Sequence, residues 1–133
     1  MAQKNVIVTG ATGYLGLKIV KALMDQGARV EAMVRKTSDR SRLEALGVKD
    51  FLVADMMEPG SLKAAFARGP RADALVASAA GYTGHTKGDS AKTDTEGYRN
   101  LARASKEAGL PRFVLISILA CDKALAVPHF YNK

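Results

Sequence analysis

Three glycines, Gly10, Gly13 and Gly16, punctuate Thr9-Gly10-Ala11-Thr12-Gly13-Tyr14-Leu15-Gly16. Ahead of them stands a short apolar run, Val6-Ile7-Val8, and behind them an apolar face of Leu15, Ile19, Val20, Leu23 and Met24 at helical spacing. A buried strand, a glycine turn and a helix N-terminus make an anion site, because free backbone N–H groups and the helix dipole converge there. Each glycine has its own physical reason to be there. One turns the chain, one admits a diphosphate to the backbone, and one lets helix and strand pack closely. Gly10, Thr12, Gly13, Tyr14, Leu15 and Gly16 are therefore the candidate phosphate-binding residues. The spacing is G-x-x-G-x-x-G rather than G-x-G-x-x-G, and no Gly-Lys-Ser/Thr follows, which excludes a Walker A loop. The alternative is a plain turn joining strand to helix.

A second set of charged residues lies roughly 20 residues further on, the interval at which a dinucleotide site meets the adenosine ribose. There the chain reads Met33-Val34-Arg35-Lys36, with no carboxylate before Asp39. An acid would bind the ribose 2′-hydroxyl of NAD, whereas a guanidinium and an ammonium suit the 2′-phosphate of NADP. Arg35 and Lys36 thus point to NADP in preference to NAD; the alternative is that they are solvated surface charges. The same basic turn argues against an S-adenosylmethionine methyltransferase, which wants an acid at that place.

These groups need a scaffold. The pattern gives strands over Arg29–Val34, 50–54, 73–79 and 112–118 after the first, with helices between them. Gly27 and Gly47 end the first two helices. Thr37, Ser38 and Asp39 can cap the second helix, Pro59 suits the first position of the third, and Leu62, Ala65 and Phe66 form its inner face. A long helix is expected over 89–108, with Tyr98, Leu101, Ala102 and Ser105 on one face and Gly109 and Pro111 at its end. Strands alternating with helix-length crossovers predict an α/β, doubly wound parallel sheet in order 3-2-1-4-5. Ligand should lie where strands 1 and 4 part, so the strand-end residues Gly10, Arg35, Asp55, Ala79 and Ser117 are the ones to inspect.

The glycine segment, together with Asp94-Thr95-Glu96-Gly97-Tyr98-Arg99-Asn100-Leu101, resembles the short-chain dehydrogenase/reductase superfamily in its extended and atypical branches. The resemblance implies a Rossmann-type fold, nicotinamide dinucleotide binding and hydride transfer to or from a small organic substrate. It implies an adenine contact at Asp55 with Met56 beneath the ring, although Asp55 also reads as a helix cap. It implies a small-residue turn, Ala79-Ala80-Gly81, beside the nicotinamide-side ribose. For catalysis it implies Ser117 after strand 5 and Lys133, whose place matches the lysine of a Tyr-x-x-x-Lys pair. Four residues before Lys133 stands His129 rather than tyrosine, and Tyr131 is out of step. His129 can exchange protons near neutral pH. The departure is similar to the NmrA-like branch, where some members sense dinucleotides for a protein partner without turnover. The resemblance further implies strands and a substrate lobe beyond Lys133. The chain is therefore expected to be one incomplete NAD(P)-binding domain, truncated after strand 5, with that strand an exposed edge and cofactor binding weak.

Bulk properties bound the remaining classes. The chain has 133 residues, 47% hydrophobic and 25% charged, with a net charge of +7. That composition suits a single globular domain, and the positive balance favours anionic partners. The basic residues are dispersed and no aromatic platform accompanies them, so nucleic acid is disfavoured as a partner. One cysteine, Cys121, forms no internal disulfide framework and points to a reducing, cytoplasmic setting. No apolar run has transmembrane length. His85 and His129 are too far apart in sequence to suggest a metal site.

Overall fold

The computed structural model describes residues 2–68, 72–79 and 92–117. Five strands alternate with helices: β1 Asn5–Thr9, α1 Tyr14–Asp25, β2 Arg29–Val34, α2 Ser41–Ala45, β3 Asp50–Val53, α3 Pro59–Arg68, β4 Ala74–Ala77, α4 Tyr98–Glu107 and β5 Phe113–Leu115. A π-helical turn, Lys92–Gly97, leads into α4. The strands form one parallel sheet in the order β3-β2-β1-β4-β5, as the alternation predicted.

Alternation along the central strands divides the core into two layers. Val6 and Val8 of β1, with Val30, Ala32 and Val34 of β2, pack toward Leu17, Val20 and Leu43 of α1 and α2. Ile7, Met33, Leu52 and Leu75 pack on the other face, toward Leu62, Ala65, Tyr98 and Leu101 of α3 and α4. Strands covered on both faces read as continuous apolar runs, which is why β1 is buried at every residue. Gly27, at φ +83°, closes α1 by letting its own N–H reach Met24 O and the next N–H, of Ala28, reach Leu23 O.

Several expectations shift in detail. The inner face of α4 carries Tyr98, Leu101, Ala104 and Ser105, whereas Ala102 is exposed. At 3.6 residues per turn positions 98, 101 and 105 can share a face with either 102 or 104, and the rotation the helix adopts turns 104 inward and 102 to solvent. The second helix begins only at Ser41, with no side-chain cap on its N-cap residue Arg40. β5 is short, and Phe113, Val114 and Leu115 are 36%, 37% and 44% exposed, because no strand of the described residues pairs with its far side. At the opposite end of the sheet, Arg29 makes two hydrogen bonds to Asp50 (2.9 and 3.0 Å) and holds that carboxyl below its ordinary range.

Candidate functional site

The parallel register brings the carboxyl ends of all five strands to one edge. β1 leads to β2 on one side while β4 pairs on the other, so the topological switch falls between β1 and β4. Two hydrogen bonds tie that junction, from Ser78 N (3.3 Å) and Ser78 Oγ (2.7 Å) to Thr9 O.

The glycine turn begins at that point. Gly10 has φ +67°, and a Cβ there would meet Ala79 N at 2.6 Å. Any side chain would therefore be both strained and driven into the backbone just past β4. Gly13 donates to Gly10 O (3.1 Å) and is the N-cap of α1. A Cβ on Gly16 would land on the Gly10 carbonyl, so the first turn of the helix lies directly against the exit of β1. Gly13 caps with no side-chain bond, and the first turn holds no acidic residue. Among the described residues the N–H groups of Tyr14, Leu15 and Gly16 find no acceptor. These are the orphan donors of a helix start, left open at the mouth of the sheet beside exposed Thr12. The cradle fits a diphosphate: it is positive in potential, carries no side chain at Gly10, Gly13 and Gly16, and lies at the switch point.

At the exit of β2, Arg35 and Lys36 are exposed and make no ion pair among the described residues. Their turn is closed by Ser38. Arg35 N donates to Ser38 Oγ (3.0 Å), and Ser38 N donates to Arg35 O (3.0 Å). Asp39, the first carboxylate in the turn, accepts from Ser41 N (2.9 Å), and this bond lowers its pKa. Arg40 lies over the Phe51 ring at 5.0 Å.

The exit of β3 is equally well held. Asp55 Oδ1 accepts from Met57 N (2.8 Å), so this carboxylate fixes the turn ahead of α3 rather than capping the helix itself. Asp55 N donates to Ser61 Oγ (2.9 Å), and Met56 O accepts from Asn100 Nδ2 (3.0 Å). Met56 is buried in the core beneath that turn. At the exit of β4, the Tyr98 hydroxyl donates to Ala79 O. Burial, with Asp94 nearby, raises the Tyr98 pKa well above the ordinary phenol value and keeps it a donor. Ser117 is exposed just past β5, next to Ile116, whose N–H bonds to Ala77 O (3.1 Å). Ala80, Gly81, His85, Cys121, His129, Tyr131 and Lys133 lie outside the described residues.

Comparison with known proteins gives this geometry its context. The model of a family described as NAD(P)H-binding matches residues 10–133. The chain belongs to this NAD(P)H-binding family. It is 32% identical over 129 residues to the divinyl chlorophyllide a 8-vinyl-reductase of Arabidopsis thaliana, covering 91% of this chain and 31% of that protein. It is 34% identical over 128 residues to the photosystem II assembly factor Ycf39 of Synechocystis, covering 93% of this chain and 36% of that protein. The crystal structure of gox2253 superposes with a TM-score of 0.77 at 32% identity, over 93% of this chain and 37% of that one. The chain thus spans about a third of the length of these relatives.

For an NAD(P)H-binding domain, the sequence left three structural ties unread: Ser61 to the Asp55 turn, Asn100 to Met56, and Tyr98 to Ala79. Ser61 carried a usable signal, since a hydroxyl in the first turn of a helix that opens on Pro59 can bond back to the preceding turn. The other two are contacts between distant segments and have no local signature. A Cβ on Gly97 would lie 3.4 Å from Met56, ordinary contact rather than collision. Among the described residues, no helix is long and apolar enough to cross a membrane.

Proposed function

We propose that this chain is the cofactor-binding part of an NADP-preferring oxidoreductase of the atypical short-chain type. The observation that carries the preference is the β2 turn: Arg35 and Lys36 stand exposed without an ion pair among the described residues, while Asp39 is held on Ser41. In this reading the amides of Gly10 to Gly16 grip the diphosphate, with Thr12, Tyr14 and Leu15 at its rim. Arg35 and Lys36 take the 2′-phosphate, and Asp55 and Met56 take the adenine. Ala79, Ala80 and Gly81 leave room for the nicotinamide-side ribose. The nicotinamide supplies hydride chemistry when bound. Ser117 and Lys133 would then orient substrate and ribose, and His129 would exchange the proton. A carbonyl, imine or activated alkene is the substrate class, and the vinyl-reductase relative favours the last.

A second reading is a non-catalytic dinucleotide sensor that reports to a protein partner. His129 in place of the tyrosine supports it, as does the likeness to an assembly factor. Binding of NADPH without hydride transfer to any acceptor selects this reading.

Calorimetric titration with NADPH and NADH tests the preference. A charge-assisted contact contributes about 1.5–3 kcal/mol, so NADPH should bind about ten- to a hundred-fold tighter than NADH. Arg35→Ala should erase most of that difference. Equal binding of both cofactors, unchanged by the substitution, would overturn it.

A further inference from the structure

α4 reaches the mouth of the sheet twice within its first turn. Tyr98 donates to Ala79 O at the exit of β4, and two residues on, Asn100 Nδ2 donates to Met56 O (3.0 Å) after β3. The two carbonyls lie just past strands on opposite sides of β1. Between them the helix lies against the β3 turn, where the space beside Gly97 is bounded by Met56 and by Met57 Sδ at 3.5 Å from a Cβ position. Ala79 is also the residue on which Gly10 backs, so the Tyr98 bond reaches the floor of the glycine turn.

We infer that the first turn of α4 is a brace that sets the separation between the two halves of the nucleotide site. Asn100 positions the adenine side through Met56, and Tyr98 positions the nicotinamide-ribose side through Ala79. Neither residue is assigned a contact with cofactor; both act through backbone carbonyls. The inference rests on the dinucleotide reading given above. The two ties are separate bonds from one stiff turn to two separate segments, so each segment is released by loss of its own tie. An α4 loosened at one end should therefore disturb one half of the ligand more than the other.

The two halves can be read apart with ADP, which fills the adenosine side and the diphosphate turn but lacks the nicotinamide-side ribose and the 2′-phosphate, and with NADPH, which fills all of them. Tyr98→Phe keeps the buried ring and deletes the donor. It should weaken NADPH by about three- to ten-fold, the scale of one hydrogen bond, and weaken ADP, which shares only the diphosphate turn, by clearly less. Asn100→Ala and the isosteric Asn100→Asp should each weaken ADP and NADPH by the same factor, since both remove the donor to Met56 O. If Asn100 merely filled space, Asn100→Asp would behave as wild type, and that result overturns its part of the brace. Tyr98→Phe weakening both ligands in proportion, or neither, overturns the other part. Circular dichroism checks the fold of each variant, and the Asn100 pair decides the inference should Tyr98→Phe fail to fold. Folded wild type that binds neither ADP nor NADPH would remove the dinucleotide reading itself, and the brace with it. Wild type that binds both, matched by all three variants, would remove the brace alone.

Discussion

The turns after β1 and β2 leave adjacent parallel strands at one edge of the sheet, yet they are held by different means. The first is shaped by what is missing: hydrogen atoms at Gly10 and Gly16 let the backbone of β1, α1 and β4 meet at distances no side chain would permit. The second is shaped by what is present: Ser38 closes the turn onto Arg35, Asp39 holds Ser41, and Arg40 rests on Phe51. The first carries no charged side chain; the second is rich in charge. In a nucleotide site this divides the labour. Backbone packing decides whether a diphosphate can be held at all, and side chains decide which ribose is preferred.

Substitutions in the first turn should therefore be severe and indifferent to cofactor type. Gly16→Ala drives a methyl group into the Gly10 carbonyl. Such overpacking costs about 1–3 kcal/mol of stability, and displacement of α1 should abolish detectable binding of NADPH and NADH alike. Calorimetry beside thermal unfolding reads both effects, and retention of NADPH binding would break the comparison.

Gly13→Ala sharpens it by separating binding from folding. A Cβ there meets only Gly10 O, at 3.3 Å, and the backbone is extended. Stability should change by less than about 1 kcal/mol, while a methyl group at the mouth of the cradle should weaken both dinucleotides by roughly ten-fold. A loss of stability as large as that for Gly16→Ala would show the two glycines to be equivalent packing elements.

Ser38→Ala tests the second turn. It removes the acceptor of Arg35 N–H, a loss of about 1 kcal/mol, so NADPH should weaken by roughly five-fold and NADH hardly at all. Equal weakening of the two cofactors would mean that this turn does not discriminate between them.

The smallest effect is a response to pH. The Ser41 hydrogen bonds hold Asp39 below its ordinary value of 3.8. A depressed carboxyl contributes stability above its unfolded pKa and loses it as pH falls through the folded one. Below about pH 4 the Ser41 amide should therefore shift in an NMR titration, while the Gly10, Gly13 and Gly16 amides stay still in the same range. Movement of the glycine amides with that of Ser41 would show the two turns to be coupled.

Much of this molecule was legible in one dimension. Apolar strands, glycine stops and Pro59 reveal their places through local chemistry, so the strand order followed from alternation and crossover length. The glycine cradle was equally plain, because a missing side chain is visible in a sequence. Arg35 and Lys36 were visible as charges, but not the Ser38 closure that presents them, since a serine in a basic turn has many possible partners. The inner face of α4 was misjudged at Ala102 because apolar character does not fix rotation about a helix axis.

The sequence by itself determined the order of elements, the place of the glycine turn and the sign of charge at its neighbour, because each depends on residues close together in the chain. Only the tertiary structure decided that Gly16 abuts Gly10, that Gly10 backs on Ala79, and that Tyr98 and Asn100 hold carbonyls at the exits of two different strands. Those relations join segments tens of residues apart, and they exist only once burial of both sheet faces has fixed where each helix lies.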